Sequence, residues 1–310
     1  METRVLQSYI CMVITTLFWG LSLPIIKLLV DDTPPYTIGF FRFFIACLCF
    51  IPILVVFYKP LKYSKETYRD FFLGGLTGIF GFGILLIIGM QFTTAAQGSI
   101  IMGINPVSIS LWAHILHKER LDRKWKYTSF FISFLGVIGV IGIQSLLEFK
   151  LEHLIGNLII ISGVLIWGFY STLSQQTMRT ITPFETTAGA MFFGTLIFGV
   201  GAFGEQFWTQ PEFRSFDFWG GILVLGIFVS FVAFLCYFIA VKNIGATHSS
   251  IFINLVPIFG IFFSWLILEE TIHWTFLIGL ILIVGGILII NFPTGANNGK
   301  NLIENSNSEF

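Results

Sequence analysis

One segment occurs twice in this chain, as AAQGSIIMGINPVSISLWAHILHKERL (residues 95–121) and again as ATHSSIFINLVPIFGIFFSWLILEETI (residues 246–272). The copies align without gaps, and the matched positions are Ala95 with Ala246, Ser99 with Ser250, Pro106 with Pro257, and Glu119 with Glu270. Each copy has a start of small residues, a central proline and a terminal glutamate. A segment repeated at this distance indicates that the chain consists of two similar halves.

A second pair of motifs supports the duplication. LFWGLS (residues 17–22) matches LIWGFY (residues 165–170), which pairs Trp19 and Gly20 with Trp167 and Gly168. The two motifs keep nearly the same spacing as the longer segments. The repeat therefore extends over most of each half.

The composition places the protein in a membrane. Hydrophobic residues make up 55% of the 310 residues, charged residues only 11%, and the mean hydropathy is +0.86, whereas a soluble domain has roughly 25% charged residues. The net charge is zero, and no basic patch alternates with aromatic residues outside the apolar runs, so we expect no nucleic-acid partner.

Ten apolar runs are long enough to cross a bilayer as helices, at about 20 residues each. They lie at residues 8–29, 36–58, 70–90, 93–116, 126–147, 154–176, 184–204, 217–240, 246–268 and 273–292. The prediction is an all-α integral membrane protein of two five-helix repeats, residues 1–147 and 153–292. Residues 293–310 are polar and rich in Asn, which predicts a disordered cytoplasmic tail.

The loop charges predict the orientation. Most of the Lys and Arg residues fall in loops on one side if the N-terminus is cytoplasmic, and positive loops stay inside. Both termini are then cytoplasmic, in a multi-pass protein of the cell membrane. Because five is odd, the second repeat inserts upside down relative to the first, and a binding site is expected between the halves near the midplane.

These motifs carry a family resemblance. Each half resembles an EamA domain of the drug/metabolite transporter superfamily, with an early Trp-Gly, an Arg near the start of the second helix, and a fourth helix with central Pro, Trp and terminal Glu. The resemblance covers about residues 8–292. It implies a ten-helix carrier that works by alternating access, often exporting amino acids or other small metabolites.

Pro106 and Pro257 lie at matched positions inside helices, where proline frees a carbonyl of the preceding turn. Asn105 and Asn254 lie close by, and their amides would find partners in a central cavity. The alternatives are a kink needed only for packing and hydrogen bonding between helices without any substrate.

The matched Trp19 and Trp167 lie too deep for an interfacial belt, and an indole suits a pocket wall. Tyr170, one turn beyond Trp167, would add a hydroxyl to the same wall. Close packing of each Trp-Gly pair against a neighbouring helix is the alternative.

The third helix is rich in glycine, and we expect Gly78 and Gly81 to let it act as a mobile cavity wall; static close packing is the alternative. His248 begins the ninth helix and is a candidate carrier of a coupled proton, although a histidine at a helix end is commonly just a polar residue.

Arg42 stands inside the apolar run IGFFRFFIACLCF (residues 38–50). A guanidinium in hydrocarbon costs ~2.5–3.5 kcal/mol on insertion scales, so it requires a partner. One reading is that the side chain snorkels to the outer interface. The other is that it faces the outer vestibule and contacts a substrate carboxylate or a gating acid. The second half has Ala190 at the matched position, so the repeat itself does not require the charge.

The function predicted from these features is secondary transport, with export of small neutral or zwitterionic metabolites or drugs. The midplane lacks a carboxylate, which argues against a polycation, and it has few basic residues, which argues against a multiply charged anion. No Walker loop occurs, and we predict no cofactor and no metal ion. Uptake by the same fold, an intramembrane enzyme and a non-transporting scaffold or sensor remain alternatives, as do a monomer and a homodimer.

Overall fold

A computed structural model describes residues 2–57, 62–117 and 150–271, with single positions or short runs between residues 128 and 135 and between 277 and 289. The long described stretches form eight helices joined by short turns, and seven helical segments there are long and apolar enough to cross a membrane. The helices are α1 (Glu2–Val30), α2 (Pro35–Phe57), α3 (Lys65–Phe92), α4 (Ala95–Ile101 and Asn105–His117), α5 (Leu151–Thr177), α6 (Pro183–Gly204), α7 (Phe216–Ile244) and α8 (Ala246–Ile253 and Leu255–Leu268).

Local polar groups determine where several helices begin. The Thr94 hydroxyl accepts a hydrogen bond from the Gln97 amide and starts α4. At the start of α6, Thr182 and Glu185 form a capping box, with Pro183 in the first turn. Such caps satisfy amide groups that have no partner inside the helix.

Two acids of the second half cap helices of the first half. The Glu205 carboxylate accepts hydrogen bonds from the Tyr36 and Thr37 amides at 3.1 and 2.8 Å, at the start of α2. The Glu270 carboxylate accepts from two amides at the start of α4, those of Ala95 and Ala96, at 2.9 Å each. The terminal glutamate of the repeated segment therefore has a structural partner.

Four helices are interrupted, and the interruptions occur in matched pairs. In α3 and α7 the middle turns widen to π-helix, at Gly75–Gly81 and Val224–Val232. In α4 and α8 the helix breaks one turn before the proline, at Met102–Ile104, which is 3-10 helix, and at Asn254. Each break lies just before the proline that the sequence places inside the helix, because a proline cannot supply the N–H that bonds the carbonyl four residues back.

The two halves interlock through the Trp-Gly motifs. A Cβ atom on Gly20 of α1 would lie 2.8 Å from the Gly260 nitrogen of α8, and a Cβ atom on Gly168 of α5 would lie 2.8 Å from the Ser108 carbonyl oxygen of α4. The first helix of each half thus packs against the proline-containing helix of the other half. Only a residue without a side chain fits at either contact.

A second pair of glycines makes the same reciprocal contact in the π-helical segments. A Cβ atom on Gly75 of α3 would lie 2.7 Å from the Ala190 carbonyl oxygen of α6. A Cβ atom on Gly226 of α7 would lie 3.0 Å from the Arg42 carbonyl oxygen of α2. Ala190 and Arg42 occupy matched positions of the repeat, so corresponding residues contact the opposite half in corresponding ways.

The predicted helices at 126–147 and 273–292 and the predicted tail at 293–310 lie outside the long described stretches. The count of ten helices and the repeat boundaries at 1–147 and 153–292 therefore stay predictions.

Candidate functional site

A cavity lies where the two halves meet. Seven of the eight described helices contribute to its wall, all except α6. The cavity is small, with a volume of about 30 Å³, which is room for about two waters. The lining residues are Trp19, Ser22, Leu23, Arg42, Phe82, Leu86, Met102, Asn105, Trp167, Phe234, Ile253 and Val256.

Aromatic rings form much of the wall. The predicted pair Trp19 and Trp167 meet edge to face, with ring centroids 5.2 Å apart and planes at 89°. Phe234 of α7 contacts both indoles, at 5.6 and 5.4 Å. The Nε1 hydrogens of Trp19 and Trp167 have no acceptor among the residues that the structure describes, although both atoms are buried. The two indoles therefore offer apolar faces and two donors.

Asn105 occupies the break in α4, and its amide has two roles. Its Nδ2 donates to the Met102 carbonyl oxygen at 2.9 Å, which replaces a bond that Pro106 cannot make. Because the NH₂ group points to the Met102 carbonyl oxygen, the Oδ1 atom points away from it. Oδ1 accepts no hydrogen bond from the described part of the chain. Asn105 is only 3% exposed, so a buried acceptor is left for a ligand.

Arg42 also lines this cavity. Its side chain is 3% exposed, its Nε donates to the Ser230 hydroxyl of α7 at 2.7 Å, and its guanidinium carbon lies 4.9 Å from the centre of the Phe43 ring. Arg42 lies on the face of α2 that turns towards α7, because the two helices pack closely at Gly226. The position of Arg42 at the outer vestibule or the outer interface stays a prediction.

The acids that follow α1 at its C-terminal end do not compensate this charge. Asp31 pairs instead with Lys27, with 3.8 Å between Nζ and Oδ1. Lys27 also donates to the Met90 carbonyl oxygen at 3.1 Å. No ion pair to Arg42 occurs among the described residues.

Other predicted site residues lie away from the cavity wall. Tyr170 is fully buried, but its ring fills the space opposite Gly78, where a Cβ atom would overlap it. The expected place of Tyr170 on the same wall as Trp167 is thus corrected. Gly78 and Gly81 both lie in the π-helical segment of α3.

Three further predicted residues belong to the broken helix α8. Asn254 is buried at the interruption of α8, between the lining residues Ile253 and Val256. Pro257 is buried beyond it. His248 lies in the first turn of α8, and its side chain is outside the described part of the structure.

The sequence did not point to several residues at the cavity, which either line it or bond to a residue that does. Ser230, the partner of Arg42, is a fully buried hydroxyl in an apolar run of α7. Its isolation in that run was the available signal. Ser22, Phe82 and Phe234 carried no signal beyond ordinary helical composition.

The fold and the cavity define a class, a multi-pass helical membrane protein with a cavity between two similar halves. The model of the EamA-like transporter family matches the chain at residues 6–142 and again at 154–292. The chain belongs to this family.

Known relatives are similar along their whole length. The protein named Uncharacterized transporter YyaM of Bacillus subtilis (strain 168) is 29% identical, over 91% of this chain and 93% of the relative. An uncharacterized transporter of Archaeoglobus fulgidus is 24% identical, over 91% of this chain and 96% of the relative. A solved crystal structure shares the fold with a TM-score of 0.68 at 17% identity, covering 94% of this chain and 96% of that one.

Proposed function

We propose that this chain is a secondary transporter that exports small metabolites across the cell membrane by alternating access. Ten helices in two inverted repeats, with both termini cytoplasmic, form the working unit. The observation that carries the proposal is the cavity between the halves, which combines aromatic walls with the Arg42 guanidinium and the unpaired Asn105 oxygen. Buried polar groups without partners are costly, so their convergence supports a ligand site.

The proposed substrates are small molecules with a carboxylate, amino acids among them. A guanidinium forms strong paired hydrogen bonds to a carboxylate, and the indole rings suit an apolar body. The cavity has room for only about two waters, so a substrate requires the helices around it to move. The matched π-helical segments of α3 and α7 are the proposed moving walls, because π-helical turns within α-helices are frequent at functional sites.

The experiment compares metabolites in the medium of cells that overexpress the gene and cells that lack it. Export predicts that one compound, or a related group, accumulates outside only when the gene is present. The same compounds are then tested for counterflow in proteoliposomes of the purified protein, which separates a carrier from a scaffold or sensor. Failure to move any compound of a broad panel, with or without a proton gradient, contradicts the proposal.

A further inference from the structure

The cavity contains a positive charge that no acid among the described residues neutralises. Arg42 is 3% exposed and has only a hydroxyl as its hydrogen-bond partner in the described part of the chain. The predicted helices at 126–147 and 273–292, which lie largely outside that part, contain no Asp or Glu. Every acid of the sequence falls in a loop, in a terminal segment or near a helix end.

A buried charge without a counter-charge is unfavourable, because its lost hydration is not replaced. The Phe43 ring, 4.9 Å from the guanidinium carbon, replaces a part of this hydration through a cation–π contact. An anionic ligand would neutralise the rest. The charge balance of the cavity therefore favours one negative charge on the ligand.

The hydrogen bond to Ser230 determines how the guanidinium is presented. It occupies Nε at 2.7 Å, and the two terminal nitrogens of Arg42 have no hydrogen-bond partner among the described residues. Those two nitrogens form the end of the planar fork, whose N–H groups match the two oxygens of a carboxylate. Ser230 is thus a positioning residue for Arg42.

The other lining groups lack a counter-charge for an ammonium. The described wall contains no carboxylate, and the unpaired acceptor is the neutral Asn105 Oδ1. This oxygen suits one hydroxyl or amide N–H of a ligand. A zwitterion would leave the site with the net positive charge that it has when empty, whereas a monoanion would bring it to zero.

From this balance we infer that the cavity selects organic monoanions, with one carboxylate on an apolar body, over zwitterions of the same skeleton. The inference rests on the proposed function, since it takes the cavity as the substrate site. It narrows the proposed carboxylate-bearing substrates to acids without an amino group, in place of the neutral or zwitterionic metabolites predicted from the sequence.

The test is equilibrium binding to the purified full-length protein at pH 7, with three probes that share a phenylethyl group. They are 3-phenylpropanoate, L-phenylalanine and 2-phenylethylamine, which carry net charges of about −1, 0 and +1 at this pH. We expect 3-phenylpropanoate to bind at least about tenfold more tightly than L-phenylalanine, and 2-phenylethylamine to bind most weakly.

Three variants separate the roles of the residues. Arg42→Gln should remove the preference for the carboxylate, because the neutral amide has no charge to balance. Ser230→Ala should lower the ratio of carboxylate to zwitterion affinity while the thermal unfolding midpoint stays close to that of the wild type. Arg69→Gln is the matched control, since Arg69 is exposed and bonds to Asp70 at 3.0 Å, and it should leave the ratio unchanged.

Equal or tighter binding of L-phenylalanine, binding of none of the three probes, or an unchanged ratio in Arg42→Gln would overturn the inference. Counterflow of zwitterions by a protein without the preference would refute the inference and leave the proposed function standing. A protein that binds the carboxylate selectively but moves nothing across a membrane would refute the proposed function instead.

Discussion

The buried charge of Arg42 has one hydrogen-bond partner among the described residues, the Ser230 hydroxyl. Such a charge is unfavourable unless a ligand supplies a counter-charge. Its isolated position in an apolar run was visible in the sequence, as was its lack of a counterpart at Ala190. Its partner Ser230 was not predictable, because that contact depends on how α2 and α7 align along their axes. Charge can be read from a sequence, whereas the register between helices distant in sequence cannot.

Arg42→Ala should reduce excretion of the transported compound to the level of cells that lack the gene. The variant loses the charged hydrogen bonds to the substrate, which contribute roughly 1.5–3 kcal/mol and hence at least about tenfold in binding. Membrane levels of the protein should remain normal, because the change removes a buried charge that makes no ion pair among the described residues. The control Arg69→Ala should export as the wild type does, and unchanged export by Arg42→Ala would contradict the proposed role.

Tyr170 shows the limit of helical spacing as a guide to a site. It lies three residues after Trp167, so the two side chains differ by about 60° around the helix axis. That rotation is sufficient to move the tyrosine from the cavity to the contact with Gly78 of α3. Trp19 and Trp167, which occupy matched positions of the two repeats, both line the cavity, and their contact with a substrate stays a prediction.

At the level of the helices, glycines and acids hold one half against the other. The sequence predicted small residues for close contact, but it did not indicate that Gly20 and Gly168 face the proline-containing helix of the opposite half. Nor did it predict π-helical turns, since glycine content alone does not distinguish a wide turn from an ordinary one. Both features follow from contacts between residues more than 50 positions apart.

Gly20→Ala and Gly168→Ala should each destabilise the protein by about 1–3 kcal/mol, because the added methyl group meets backbone atoms of the facing helix. Gly220→Ala introduces the same methyl group in α7, where nothing lies within 4 Å, and should be neutral or stabilising by up to about 1 kcal/mol. Thermal unfolding in detergent measures all three. Equal unfolding midpoints for Gly168→Ala and Gly220→Ala would disprove the reciprocal packing.

Glu270→Gln should lower stability by about 1 kcal/mol, because the variant keeps one acceptor oxygen for the two amides at the start of α4 and loses the negative charge at a helix N-terminus. Glu269→Gln is the matched control at an exposed neighbouring position. The expected difference in unfolding midpoint is roughly 2 °C. If both variants unfold at the same temperature, the cap contributes nothing measurable.

At the level of the whole molecule, the duplication gives a symmetric framework and the cavity departs from it. The matched pairs Trp19 with Trp167, and Met102 with Ile253, line the cavity from both halves. Arg42 and Asn105, in contrast, correspond to the apolar residues Ala190 and Val256 of the second repeat. The symmetric part suits two exchangeable conformations, and the asymmetric part suits recognition of one kind of ligand.

Access to the cavity from both sides of the membrane is the property that separates a carrier from a sensor or an enzyme. Ser22 lines the cavity and is 4% exposed, so Ser22→Cys, in a background without Cys11, Cys47, Cys49 and Cys236, provides a reporter inside it. Ser264→Cys is the control, since Ser264 is fully buried and lies off the cavity wall.

The decisive measurement is modification of these cysteines by a membrane-impermeant maleimide in right-side-out and in inside-out vesicles. Alternating access predicts that Ser22→Cys reacts in both preparations and that Ser264→Cys reacts in neither. Reaction of Ser22→Cys from one side alone, or from neither side, would contradict transport through this cavity.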